Sequence, residues 1–205
     1  INKIATLRNA RGGNVPDVQK VAVDCEQFGA QGITVHPRPD DRHIRNRDVE
    51  LRKPLVTTEF NIEGYPSESF IELVCRVKPQ QVTLVPDPPG VLTSIAGWEP
   101  LENKDFLVEV IQEFKPHAIR SYIFVGTEPD FIEGAAKVGC DRVELYTEPY
   151  AKAFTENQEK AIAPFIKAAE LARELGLDLN AGHDLDLHNL RWFKQQIPWI
   201  KEVSI

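Results

Sequence analysis

Short β-branched runs alternate with longer segments of helical period from one end of this chain to the other, and this alternation restricts the fold more than any other feature. It is the mark of an α/β fold, in which each strand feeds a helix that packs back on a parallel sheet. The strand segments are Ile1–Ala5, Gly32–His36, Thr58–Glu63, Gln81–Val85, Arg120–Val125, Arg142–Thr147, Leu177–Ala181 and Lys201–Ile205. Between them apolar residues recur at i, i+3, i+4 and i+7, as in Val18, Val21, Ala22 and Cys25 or Ile162, Phe165, Ile166 and Ala169, so seven helices fit the gaps. Pro66 and Ser67 open the third helix, Pro116 follows the fourth, and Gly139 and Gly176 close the fifth and sixth. Thr155 with Gln158 reads as a capping box for the sixth, and Pro164 inside that pattern predicts a kink or a short preceding turn.

Eight strands, each followed by a helix except the last, suit a (β/α)8 TIM barrel occupying residues 1–205 as a single domain. An open doubly wound sheet would bring a phosphate fingerprint such as GxGxxG after its first strand, and the chain has none. A TIM barrel typically runs to about 250 residues. The chain has no methionine and stops at Val203-Ser204-Ile205 inside an apolar run, so the ends of the barrel are expected to be missing: the start of strand one, the last phosphate loop and the closing helix. With 42% hydrophobic and 27% charged residues the chain is neither disordered nor fibrous. No apolar run approaches the ~20 residues of a membrane-spanning helix. Twenty-four Lys and Arg against 31 Asp and Glu leave −7, which argues against nucleic acid or an anionic membrane as partner while allowing a local basic pocket for small anions. Cys25, Cys75 and Cys140 show no CxxC spacing and are expected to be reduced and buried, in a cytoplasmic protein.

In a barrel, chemistry sits at the C-terminal ends of the strands, and side chains alternate between the helices and the interior. With Ile33 and Val35 facing out, Thr34 and His36 face in; with Phe60 and Ile62 out, Glu59, Asn61 and Glu63 face in. The same parity turns Glu144 inward, and Asp178 and Asn180 precede Ala181-Gly182-His183. His36, Glu63, Glu144 and His183 are thereby expected at one mouth, and two carboxylates are costly to bury without a purpose. The alternative is a salt-bridged interior. The loops at the same end carry Arg8, Arg11, Arg38, Arg42 and His43, a set suited to phosphate or carboxylate unless Asp40 and Asp41 neutralise it. The long Pro86–Glu102 loop, with Thr93, has the length of a lid. Lys3 and Lys201, the only lysines on strand segments, do not point to a Schiff-base site, and Trp98, Trp192 and Trp199 read as packing anchors.

The strings TLRNARGG, GITVHPRPDDRHI, TEFNIEG, VTLVPD, VELYTEPYA and NAGHDLDLHNL, in this order, resemble the pyridoxine 5'-phosphate synthase family of the deoxyxylulose-phosphate-dependent pathway, from Ile1 to Ile205. The resemblance implies a (β/α)8 transferase that condenses 3-amino-2-oxopropyl phosphate with 1-deoxy-D-xylulose 5-phosphate, closing the pyridine ring and releasing phosphate and water. It implies no cofactor and no metal, and self-association as a homo-octamer. The family's acid/base groups fall on His36, Glu63 and His183, and its charge-stabilising Glu on Glu144. Its substrate-binding positions fall on Asn2, Lys3, Arg11, Arg38, His43, Thr93 and Asp184. Two positions depart from the family pattern: Asn2-Lys3 stands where many members carry Asp-His, and Asp184 where Gly is common.

Two other readings compete. His36, Glu63 and His183 form a His2Glu set of the kind that ligates zinc in a metal-dependent hydrolase or aldolase. A phosphate-binding or assembly subunit without turnover would keep the barrel and the basic loops alone.

Overall fold

The computed structural model describes residues 1–52, 55–87 and 96–205. The chain divides into two compact units, Ile1–Ser94 with Glu113–Arg120 and Ile95–Gln112 with Ser121–Ile205. The first contains α1 (Asn2–Ala10), α2 (Val18–Gln27), β1 (Gly32–Val35), α3 (Asn46–Arg52), β2 (Glu59–Gly64), α4 (Glu68–Val77) and β3 (Gln81–Leu84). After α5 (Lys104–Phe114) and a 3-10 turn at Lys115–His117 come β4 (Arg120–Val125), α6 (Pro129–Val138), β5 (Arg142–Tyr146), α7 (Glu148–Phe154), α8 (Gln158–Glu174), β6 (Asp178–Gly182), α9 (Leu190–Gln196) and β7 (Glu202–Ser204).

Within the first unit β1, β2 and β3 run parallel in chain order, with Val35 opposite Ile62 and Glu63 opposite Thr83. Within the second, β4 to β7 do the same, with Glu144 opposite Asn180 and Tyr146 opposite Gly182. Neither order reverses, as a doubly wound sheet would require, and the architecture is a TIM-barrel-like α/β fold. All of β3 and β5 is buried, as expected of parallel strands covered on both faces.

One expected element is corrected. Ile1–Ala5 is not a strand: the segment from Asn2 is helix α1, so the described residues hold seven strands rather than eight. A strand would have placed Ile1, Lys3 and Ala5 on one face. The helix instead buries Ala5 and Arg8, three residues apart, and leaves Lys3 exposed. The other seven strands start and stop within about two residues of their expected limits.

Ser67 caps α4 by accepting from the Phe70 amide, and Gly139 ends α6 with φ 75°. The expected Thr155 capping box is absent, because Asn157 lies nearer the helix and its Oδ1 takes the Lys160 amide at 2.8 Å. Pro164 sits inside α8, and the short element before that helix is α7, which ends at Thr155. In the second unit Tyr150, Phe165 and Phe193 meet edge to face at 5.1–5.8 Å and anchor α7, α8 and α9. Of the cysteines, Cys140 is buried as expected, whereas Cys25 and Cys75 are half-buried. Among the described residues no helix is long and apolar enough to cross a membrane.

Candidate active site

In the first unit the register of β1 on β2 carries on past Val35 and Ile62, so the next residues, His36 and Glu63, come level. His36 Nδ1 lies 3.1 Å from Glu63 Oε1, with the His36 side chain 9% and the Glu63 side chain 23% exposed. One residue pair deeper, the Asn61 amide donates to Thr34 Oγ1 at 3.3 Å and Thr83 Oγ1 at 3.0 Å, which fixes the polar face that sequence parity predicts. The backbone of His36 is held as well: its amide donates to Asn2 Oδ1 at 2.8 Å. Asn2, expected among the substrate contacts, thus ties α1 to the end of β1.

The loop after β1 is pinned from below by Arg8. Its guanidinium binds both oxygens of Asp48 at 2.8 Å and the His43 carbonyl at 3.1 Å, in a site where both side chains are under a tenth exposed. Arg42 is paired with Asp40 at 2.7 Å. Two members of the basic set are therefore engaged by acids of the protein itself. Arg38 is buried, 3.8 Å from Asp87, and Arg11 is exposed at the end of α1. The His43 ring stands edge-on to His36 at 5.7 Å, and its Nδ1 accepts from the Ile44 amide at 2.9 Å. Burial, reinforced by the nearby His36, Arg38 and Arg42, pushes the His43 pKa down to about 4. At neutral pH it is an uncharged ring carrying its proton on Nε2. Beside these groups a cavity of about 290 Å³ is lined by His36, Arg38, Tyr65, Ser67, Ser69 and Asp87, among others. Buried guanidinium, hydroxyls and imidazole give it the chemistry to receive a small phosphorylated molecule.

In the second unit Glu144 is 4% exposed at the centre of β5. Its carboxylate lies against Gly182 on β6, so closely that a Cβ on Gly182 would fall 2.3 Å from Glu144 Oε1. His183 follows directly, its ring edge-on to Tyr146 at 5.0 Å. Its Nδ1 is 2.7 Å from Asp184 Oδ2. Toward the start of the strands, Arg142 binds Glu202 at 2.8 Å and stands over the Tyr122 ring at 5.0 Å, while Tyr122 and Asn180 also reach Glu202. This layer is the salt-bridged interior weighed as an alternative, and it is built from Arg142 and Glu202.

The structure thus brings His36, Glu63 and His43 together in one unit, and Glu144 and His183 in the other. Lys3 is exposed on α1 and Thr93 lies outside the described residues, as does the central part of the expected lid. Among the described residues no group of three or more His, Cys, Asp and Glu side chains is placed to hold a metal ion. Sequence reasoning missed Asp48 and Asp87, whose importance depends on partners 40 and 49 positions away, and Tyr146, which shares the parity of Glu144 and could have been found by it.

The family model described as "Pyridoxal phosphate biosynthesis protein PdxJ" matches residues 1–205. Pyridoxine 5'-phosphate synthase of Bacteroides thetaiotaomicron is 62% identical over 205 residues, covering 100% of this chain and 86% of that protein. The synthases of Flavobacterium johnsoniae and Porphyromonas gingivalis are 60% and 58% identical over the same coverage. Among solved structures, a phosphoribosylanthranilate isomerase from Thermotoga maritima superposes with a TM-score of 0.60 at 15% identity, covering 91% of this chain and 81% of that one. The YdjI aldolase from Escherichia coli K12 gives 0.63 at 12%, over 91% and 70%. At such identities these two speak to the fold alone.

Proposed function

Because the chain belongs to the PdxJ family of pyridoxal phosphate biosynthesis proteins, we propose that it forms pyridoxine 5'-phosphate by condensing 3-amino-2-oxopropyl phosphate with 1-deoxy-D-xylulose 5-phosphate. The observation that carries the reading is the His36–Glu63 pair at 3.1 Å beside a cavity with a buried arginine. Condensing an amine with a ketone, expelling phosphate and water and aromatising the ring all require protons to be moved at carbon, nitrogen and oxygen.

In this mechanism Glu63 moves protons at carbon and at the carbinolamine, with His36 as the partner that exchanges its proton. His36 and His183 alternate as acid and base for the departure of water and phosphate. Glu144, held in a buried strand position, stabilises the iminium charge that develops once the amine has condensed. Arg38 and the neutral Nε2–H of His43 donate to a substrate phosphate, with Arg11, Asn2, Lys3, Thr93 and Asp184 as the remaining substrate contacts. No redox step is needed. A homo-octamer in the cytoplasm belongs to the same proposal and rests on the family likeness.

The test is incubation with both substrates while following the ultraviolet absorbance of the pyridine product. Product is expected from the native chain, with Glu63→Gln slowing turnover by at least ~10²-fold. Absence of product under conditions where an authentic synthase works would overturn the activity, and a Glu63→Gln variant with native turnover would remove the assignment of Glu63.

A further inference from the structure

His183 and Asp184 are consecutive non-glycine residues with positive φ, 94° and 59°. That backbone is costly for residues with a Cβ, although Asp tolerates it better than most, so it persists only where its surroundings hold it. They do so from three sides. Thr147 lies at the end of β5 with its Oγ1 2.7 Å from the Gly182 carbonyl and 2.6 Å from that of His183. Asn189 Nδ2 donates to the Asp184 carbonyl at 3.0 Å, and Asn189 is itself fixed by Tyr150, whose hydroxyl donates to its carbonyl at 2.7 Å. Asp186 completes the frame by accepting from the amides of His188 and Asn189. The product of this strained, over-determined turn is one side-chain contact, the 2.7 Å approach of Asp184 Oδ2 to His183 Nδ1.

A carboxylate accepts but does not donate, so at this distance the proton of a neutral imidazole resides on Nδ1. We propose that Asp184 is a positioning residue: by accepting the Nδ1–H of His183 it holds the tautomer whose lone pair is on Nε2 and presents that nitrogen as the base. Tyr146, edge-on to the ring at 5.0 Å, limits rotation about the remaining torsion. The inference deepens the reading of His183 as an acid/base group and rests on it for its catalytic consequence, though not for the tautomer. It also gives Asp184 a role different from direct substrate contact, in which its negative charge would oppose a phosphate.

The experiment uses three variants of the full chain, Asp184→Gly, Asp184→Asn and His183→Gln, with 15N NMR of the histidine rings at a pH where they are neutral. The His183→Gln spectrum assigns the signal. In the native protein His183 is expected in the Nδ1–H form. Asp184→Gly removes the acceptor while relaxing the backbone, so its thermal midpoint should equal or exceed the native one, its His183 tautomers should mix, and kcat should fall about ten-fold with KM for both substrates nearly unchanged. Asp184→Asn retains an accepting oxygen and should restore the tautomer and most of kcat. A native His183 in the Nε2–H form overturns the proposal whatever the variants do. A rise in KM without a change of tautomer overturns it in favour of substrate contact, and an Asp184→Gly enzyme with native tautomer and native kcat overturns it as well. If His183→Gln keeps full turnover, the catalytic reading of His183 falls, while the tautomer measurement still decides whether Asp184 sets the ring.

Discussion

Replacing Gly182 by alanine tests whether Glu144 acts from the position the structure gives it. The added Cβ would lie 2.3 Å from Glu144 Oε1, 3.3 Å from its Cδ and 3.0 Å from Ser204 Cβ. Ordinary non-bonded contacts lie near ~3.5 Å, so the carboxylate must retreat by about 1 Å. It has little room, being 4% exposed on a strand paired on both sides. Overpacking of this kind costs about 1–3 kcal/mol, which lowers the thermal midpoint of a chain this size by about 2–4 °C for each kcal/mol. A displacement of about 1 Å in a charge-stabilising group can cost on the order of 10²-fold in rate. Urea unfolding followed by tryptophan fluorescence reads the first quantity, and formation of the pyridine product reads the second. The two are linked by a cycle with Glu144→Ala, which removes the colliding atoms. In that background Gly182→Ala should lose most of its destabilising effect, leaving the tighter contact with Ser204. Equal destabilisation in both backgrounds would refute the reasoning, as would a Gly182→Ala enzyme with native stability and turnover.

Two further perturbations probe the other unit. Arg8→Met breaks the bidentate pair with Asp48 and strands a buried carboxylate, an outcome worth about 3–5 kcal/mol in urea unfolding, whereas Arg8→Met with Asp48→Leu should recover most of that loss. His43 has its pKa lowered to about 4 in the folded chain against an ordinary value of 6.5. Between those two pH values the unfolded chain takes up a proton that the folded chain refuses. Stability is therefore expected to fall as pH drops through that window, by about 1–2 kcal/mol after allowing for the partial exposure of the ring. A His43→Gln variant should lose this part of the pH dependence, and an unchanged slope would place the effect elsewhere.

Much of the site could be read from periodicity. Parity alone placed Thr34, His36, Asn61 and Glu63 on one polar face, and the hydrogen bonds from Asn61 to Thr34 and Thr83, with the His36–Glu63 contact, follow that assignment. Glu144 was found by the same rule. The basic loops were legible as residues but not as roles: Arg8 and Arg42, grouped with Arg38 as anion ligands, are held by Asp48 and Asp40. Arg42 and Asp40 are two positions apart, so that pairing was open to sequence reasoning. Arg8 and Asp48 are 40 apart, and nothing local marks one for the other.

The sequence by itself determined the alternation of strands and helices, the parity that turns His36, Glu63 and Glu144 to the polar faces of their strands, and the family likeness carried by ordered motifs. These are properties of period and order, and a local pattern encodes both. Tertiary structure decided that Ile1–Ala5 enters a helix, since five residues satisfy either period and only the burial of Ala5 and Arg8 selects between them. It also decided that Asn2 anchors the backbone of His36, that His43 is neutral, and that Asp184 turns its carboxylate onto His183. Each of these depends on which groups the folded chain brings within about 3 Å of one another and how much water it leaves around them, quantities that no spacing along the sequence contains.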